Sequence, residues 1–221
     1  MEYGQLSGNS SINKTIYKSF EYICEKDIKK FVKVFRYTKL QTEIENQALH
    51  TYRELILGAY LGANGLTVRH DYSVDNKTPD WCIVDNAGAV IGIIELTNFH
   101  IDKLTEEEIE EQMKANGIAL YHADNINRLY QCIWYKARIY QDLARKFQIP
   151  YVVAVFGWFE AGVDSEEIQR CIFDKDIGVF KMYPEVSGLI YFRESLGQYL
   201  FDYARNPSAL HRIELPGGAF P

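Results

Sequence analysis

The sequence predicts an α/β protein, a mixed central sheet flanked by helices, on three observations. Three short β-branched runs separated by turn residues read as an antiparallel meander. A long helical stretch then passes through Ile149-Pro150 into a wholly apolar run, the pattern of a buried parallel strand reached by a crossover. An apolar helical segment precedes the meander.

Taken in order, residues 14–37 are amphipathic and Lys-rich and predict a first helix. Residues 42–61 predict a second, with Thr42 as its cap and Gly62 and Gly65 closing it. The meander takes residues 66–72, 81–85 and 90–97, with turns at Asp75-Asn76-Lys77 and Asn86-Ala87-Gly88. Thr105 followed by Glu108 reads as a capping box, which makes the acidic run 106–111 a solvated helix start. Residues 124–148 predict one long helix. At about 100° per residue its apolar stripe is Ile126, Leu129, Tyr130, Ile133, Ala137, Tyr140, Leu143 and Phe147. The run 151–156 is the buried strand, followed by a short helix over 165–173, strands near 188–192 and 199–203, and a Pro/Gly tail. One domain over 1–221 is expected: a helical extension 1–40, a core 42–157, and C-terminal strands and tail over 158–221.

At 221 residues and 47% hydrophobic, the chain can bury a full core. No window approaches the ~18 uninterrupted apolar residues of a membrane span. Residues 1–14 are polar, without the apolar stretch of a secretion signal, so a cytoplasmic location and no membrane partner are expected. Cys24, Cys82, Cys132 and Cys171 are too widely spaced for a zinc site or a disulfide scaffold and read as buried free thiols. A net charge of −6 counts against non-specific binding of polyanions. It leaves room for a local basic groove or a substrate held through a metal ion. There is no Gly-rich phosphate loop and no Ser nucleophile elbow, which disfavours phosphoryl transfer from a nucleotide and Ser-based acyl transfer.

Two carboxylates stand out. A two- or four-residue loop centred between Ala87 and Gly88 pairs Asp80 directly with Glu95; a three-residue loop or a bulge shifts the register by one. Opposed side chains in such a ladder lie ~5 Å apart, and like charges there are destabilising. Glu95 also ends the apolar run 90–94 without a turn signal. Taken singly, Asp80 can cap a turn after Pro79 and Glu95 can pair with an arginine. Together they favour a divalent cation, because Mg²⁺ takes one or two carboxylates and keeps several waters.

Pro79-Asp80, then fourteen residues, then Glu95-Leu96-Thr97 resembles the PD-(D/E)XK nuclease superfamily. The resemblance covers about 42–157. It implies a restriction-endonuclease-like fold, Mg²⁺ or Mn²⁺ held by Asp80 and Glu95, nucleic acid (DNA or RNA) as substrate, and hydrolysis of its phosphodiester; a homodimer is compatible with it. Glu54, on the helix before the sheet, is the implied upstream acid, assisting through a second ion or a water; its alternative is a salt bridge to a neighbouring arginine. The chain departs from the motif at Thr97, where the family carries lysine.

Lys136, at the edge of the apolar helical stripe, is the candidate replacement. Some superfamily members are similar in carrying the lysine on this helix with an aromatic residue four positions on, here Tyr140. Its alternative is a lysine whose stem covers the helix edge while its amine reaches water. His100 and Asp102 could join a metal site or act as general base but read better as the loop leading to Thr105, and the same holds for His70 and Asp71, which end a strand near the site mouth. Tyr130, Trp134 and Tyr140 have the spacing of packing residues rather than of a base-stacking platform. Two rivals remain: a catalytically inactive binding or assembly module of the same fold, favoured by Thr97 and the acidic composition, and a two-carboxylate glycosidase.

Overall fold

In a computed structural model of the protein, which describes residues 3–38, 45–99, 103–117, 126–157, 163 and 165–220, the three β-branched runs pair as an antiparallel meander. They are β1 (Val68–His70), β2 (Trp81–Val84) and β3 (Val90–Phe99). The apolar run is β4 (Tyr151–Gly157), buried throughout and parallel to β3 as expected. Next, β5 (Val186–Ser195) adds parallel to β4, and β6 (Gln198–Arg205) and β7 (Gly218–Phe220) add antiparallel. Strand order in this seven-stranded mixed sheet follows chain order, and the sheet curls into a half-barrel.

Period-two alternation sorts the strands' side chains onto two apolar faces. Trp81, Ile83, Ile94 and Leu96 pack under α1 (Ser10–Phe20), α2 (Glu25–Thr38) and α3 (Glu45–Ala63), which bring Phe20, Phe31 and Leu55. Cys82, Val84, Ile93 and Val153 pack on the opposite face. There they meet α5 (Ile126–Ile139), α6 (Gln141–Phe147), α7 (Ser165–Phe173) and α8 (Val179–Met182). A further helix, α4 (Lys103–Asn116), follows β3.

Four helix expectations are corrected. The single helix over 14–37 is two. It starts early, at Ser10, because Asn9 caps the N–H groups of Ser11 and Ile12. It then breaks after Phe20, where Glu21 and Tyr22 donate back to Lys18 and Ser19 before Cys24 opens α2. The break lies on α3 at Gly62, where a Cβ would sit 2.1 Å from the Tyr22 carbonyl oxygen. Gly62 is thus a contact point inside the helix, and Gly65, at φ +84°, is the terminator. Thr42 lies outside the described residues. Thr105 is not a cap, since α4 already begins at Lys103.

The long helix over 124–148, whose first two positions are outside the described residues, breaks at Tyr140. The Tyr140 hydroxyl donates to the Thr78 carbonyl (2.9 Å), pulling its residue out of helical phase. The phase restarts at Gln141, so Ala144 is buried and Phe147 is exposed. Toward the C-terminus α7 matches expectation, but β5 and β6 are longer than their predicted cores. Their turn, Leu196-Gly197, has positive φ at both residues, the two-residue geometry that extends a ladder to its tip. The four cysteines are free, with Cys82 and Cys171 buried and Cys24 and Cys132 half-buried. Among the described residues no helix is long and apolar enough to cross a membrane.

Candidate active site

The β2–β3 ladder pairs Trp81 with Ile94, Cys82 with Ile93 and Ile83 with Gly92, then shifts so that Val84 faces Val90. The turn is therefore odd-numbered. Asp85 closes it, donating its N–H to Ala89 O (2.9 Å) while Oδ1 accepts from the N–H groups of Ala87 and Ala89. Ile91 is left unpaired as a bulge. An odd turn alone, or a bulge alone, shifts the register by one; together they restore that of an even loop. One step beyond Trp81 and Ile94, Asp80 meets Glu95. The Asp80 N–H donates to Glu95 Oε2 (3.3 Å), and Asp80 Oδ2 accepts from the Leu96 N–H (2.7 Å).

The structure brings Lys136 to this pair, with Nζ 2.7 Å from Glu95 Oε1. Burial of Leu129, Ile133 and Ala137 fixes the rotation of α5 that aims it there. The Tyr151 hydroxyl donates to the Lys136 carbonyl, and Lys77 Nζ donates to Ile139 O (2.7 Å). With Tyr140 on Thr78, these bonds tie the end of α5 to the loop that delivers Asp80. The amine meets an anion rather than reaching for water; the Lys136 side chain is only 19% exposed.

Glu54 is also at the site, but its partners are histidines rather than an arginine. Oε1 lies 3.0 Å from His50 Nε2 and Oε2 3.0 Å from His70 Nε2. The Trp81 indole N–H donates to the Glu54 carbonyl (2.9 Å), fixing this turn of α3 over β2. His70 ends β1 and lies beside the site, as expected, but it reaches Glu54 from a buried position against the rings of Phe31 and Trp81 rather than from an open mouth. The His70 N–H donates to Asp27 Oδ2 (3.0 Å). Asp27, fully buried, also accepts from the Cys24 thiol (3.0 Å) and lies 3.3 Å from both Lys30 Nζ and Arg69 Nε. His50, which contacts Asn98 through Nδ1, has no separate motif in the sequence. Its one signal is the four-residue spacing from Glu54, which puts both on one helix face. His100 and Asp102 lie outside the described residues.

Burial, then the charges of Glu95 and Glu54, push the Asp80 carboxyl up to about 7, against Lys136 and the Leu96 N–H. For Glu54 burial also acts upward, but the hydrogen bonds and charges of His50 and His70 outweigh it and hold the group at about 2. His50 is raised, first by its hydrogen bond to Glu54. Asp80 thus sits buried beside two other carboxylates, with Lys136 facing Glu95 and imidazoles facing Glu54. Among the described residues no three His, Cys, Asp or Glu side chains converge as a ready-made metal cluster. Two adjacent carboxylates as hard oxygen donors fit Mg²⁺ or Mn²⁺, whose remaining positions are filled by water, better than a metal needing an all-protein cage.

Comparison of the chain with protein-family models, with curated proteins and with solved structures finds no match.

Proposed function

We propose that this protein is a Mg²⁺- or Mn²⁺-dependent nuclease that hydrolyses a phosphodiester of DNA or RNA in the cytoplasm, built on a restriction-endonuclease-like fold. The observation that carries the reading is the Lys136 ammonium 2.7 Å from Glu95, beside Asp80, supplied by a helix in place of the strand lysine that Thr97 replaces. Asp80 and Glu95 are the residues to hold the ion. When bound, it would polarise the phosphate and lower the pKa of an attacking water. Without an ion, burial first and then the charges of Glu95 and Glu54 hold the Asp80 carboxyl up at about 7, and a cation beside it would favour the ionised form. Lys136 orients the water or donates to the phosphate oxygens as charge builds there. Glu54, with both oxygens engaged by imidazoles, contributes negative potential and holds His50 at the edge of the site.

A non-catalytic module of the same fold is the second reading, favoured by Thr97 and the net charge of −6. The glycosidase reading is weakened, because a lysine fills the position beside the carboxylates. Cleavage of DNA and RNA by wild type and Asp80→Ala with Mg²⁺ or Mn²⁺ decides. The expected outcome is cleavage by the wild type alone; equal activity in the two proteins would sink the nuclease assignment.

A further inference from the structure

One helix serves two sites. On α3, His50 and Glu54 belong to the carboxylate site, while Tyr52 and Arg53 line a separate cleft of ≈ 470 Å³. This cleft lies between α1, the end of β4 and the β5–β6 turn. The two sites adjoin at the ends of β3 and β4. Asn98, which contacts His50, pairs in register with Phe156, and Phe156 is part of the cleft wall.

The cleft has the parts of a binding site for a planar, anionic ligand. Arg53, only 3% exposed, stands over the Phe156 ring at 4.2 Å. Burial holds its guanidinium down, at about 10, against Tyr199, Glu194 and Tyr52. Tyr199 donates to Glu194 Oε2 (3.2 Å), so a carboxylate acceptor is held in the same wall. At the rim, Leu196 is 103% exposed and sits at φ +51°. Two-residue turns of this kind favour Asn or Gly at that position. Leu196 thus presents a fully exposed apolar side chain at the rim of the cleft. The volume lies within the ~300–1,000 Å³ range of small-ligand sites.

We propose that the cleft takes one unpaired nucleotide of the strand being cut, which makes single-stranded nucleic acid the substrate class. The identity of this ligand rests on the nuclease reading. Leu196 supplies exposed apolar surface for a base, backed by the buried edges of Tyr52 and Phe156 in the cleft wall, Arg53 a positive charge for a phosphate, and Glu194 an acceptor for N–H or O–H groups. A duplex reaches such a cleft only by unstacking a base, which costs a few kcal/mol.

The test is binding of a short fluorescein-labelled single strand, and of the matching duplex, in EDTA, followed by anisotropy. Wild type is expected to prefer the single strand, and Arg53→Gln and Leu196→Gly to bind it at least about fivefold more weakly, the lower end of a lost stacking contact. Should Arg53→Gln fail to fold, Leu196→Gly decides alone, since glycine suits the backbone there. Wild-type affinity in the folded variants, or equal affinity for duplex, overturns the proposal. Mn²⁺-dependent cleavage by the same proteins separates the two readings. Cleavage lost in Asp80→Ala, with binding and KM unchanged in the cleft variants, removes the cleft alone. Single-strand binding lost in the cleft variants, with no cleavage by wild type, removes the nuclease alone.

Discussion

At the residue scale the decisive contact is Lys136 on Glu95. Lys136→Ala is expected to lower the cleavage rate by ~10²–10³-fold, the usual loss when one donor to transition-state charge is removed. Single-turnover kinetics would show it; a rate within threefold or so of wild type would leave the lysine without a role. Asp80 sets a pH dependence of the opposite sense to most paired carboxylates. Its folded pKa is about 7 against ~3.9 unfolded, so between those values the folded state binds more protons. Asp80's contribution to stability in EDTA therefore falls as pH rises from ~4 to ~7, and Asp80→Asn removes that contribution. Thermal melts across this range check it, with the variant melting above wild type at pH ~8. Asp80, Glu95 and Lys136 are legible in the sequence because strand alternation and helical phase are local and periodic. His50 is not, and His70 is legible only as a residue near the site, since what joins the two is a single carboxylate, Glu54, reached from α3 and β1 together.

The elements show where periodicity stops being a guide. The meander, the crossover and the buried β4 are all readable from apolar runs, but the break after Phe20 is seated against Gly62 of α3 and that at Tyr140 is tied to Thr78, contacts distant in sequence. Register is a sharper case. An even loop predicts Asp80 opposite Glu95, and an odd turn with a bulge at Ile91 delivers it. Two departures of one residue each are invisible to spacing because they cancel. Helix α3 is held against β2 at Gly58, where a Cβ would lie 2.0 Å from the buried Trp81 ring. Gly58→Ala would gain up to ~1 kcal/mol by helix propensity alone. Overpacking against the indole is expected to outweigh this, for a net loss of about 1–2 kcal/mol in urea denaturation. Because Trp81 also bonds the Glu54 carbonyl, activity should fall with it.

For the molecule as a whole, a net charge of −6 means that the proposed polyanionic substrate would be met by a few local groups rather than by a general field. With about two phosphate contacts to a single strand, affinity should fall only roughly sevenfold between about 50 and about 200 mM salt. Binding titrations at several salt concentrations measure the slope, and a loss of ~10³ or more would mean an extensive basic surface instead. The N-terminal helices bear on the same question of how the parts depend on one another. From the sequence, residues 1–40 look like an extension of a core that begins at 42. Yet Asp27 on α2 receives the His70 N–H, and His70 in turn holds Glu54. Trimming the chain to its carboxylate-bearing strands would thus remove a foundation rather than an appendage. The smallest autonomous unit with an intact site must include α2, and modularity here follows hydrogen bonds more closely than chain order.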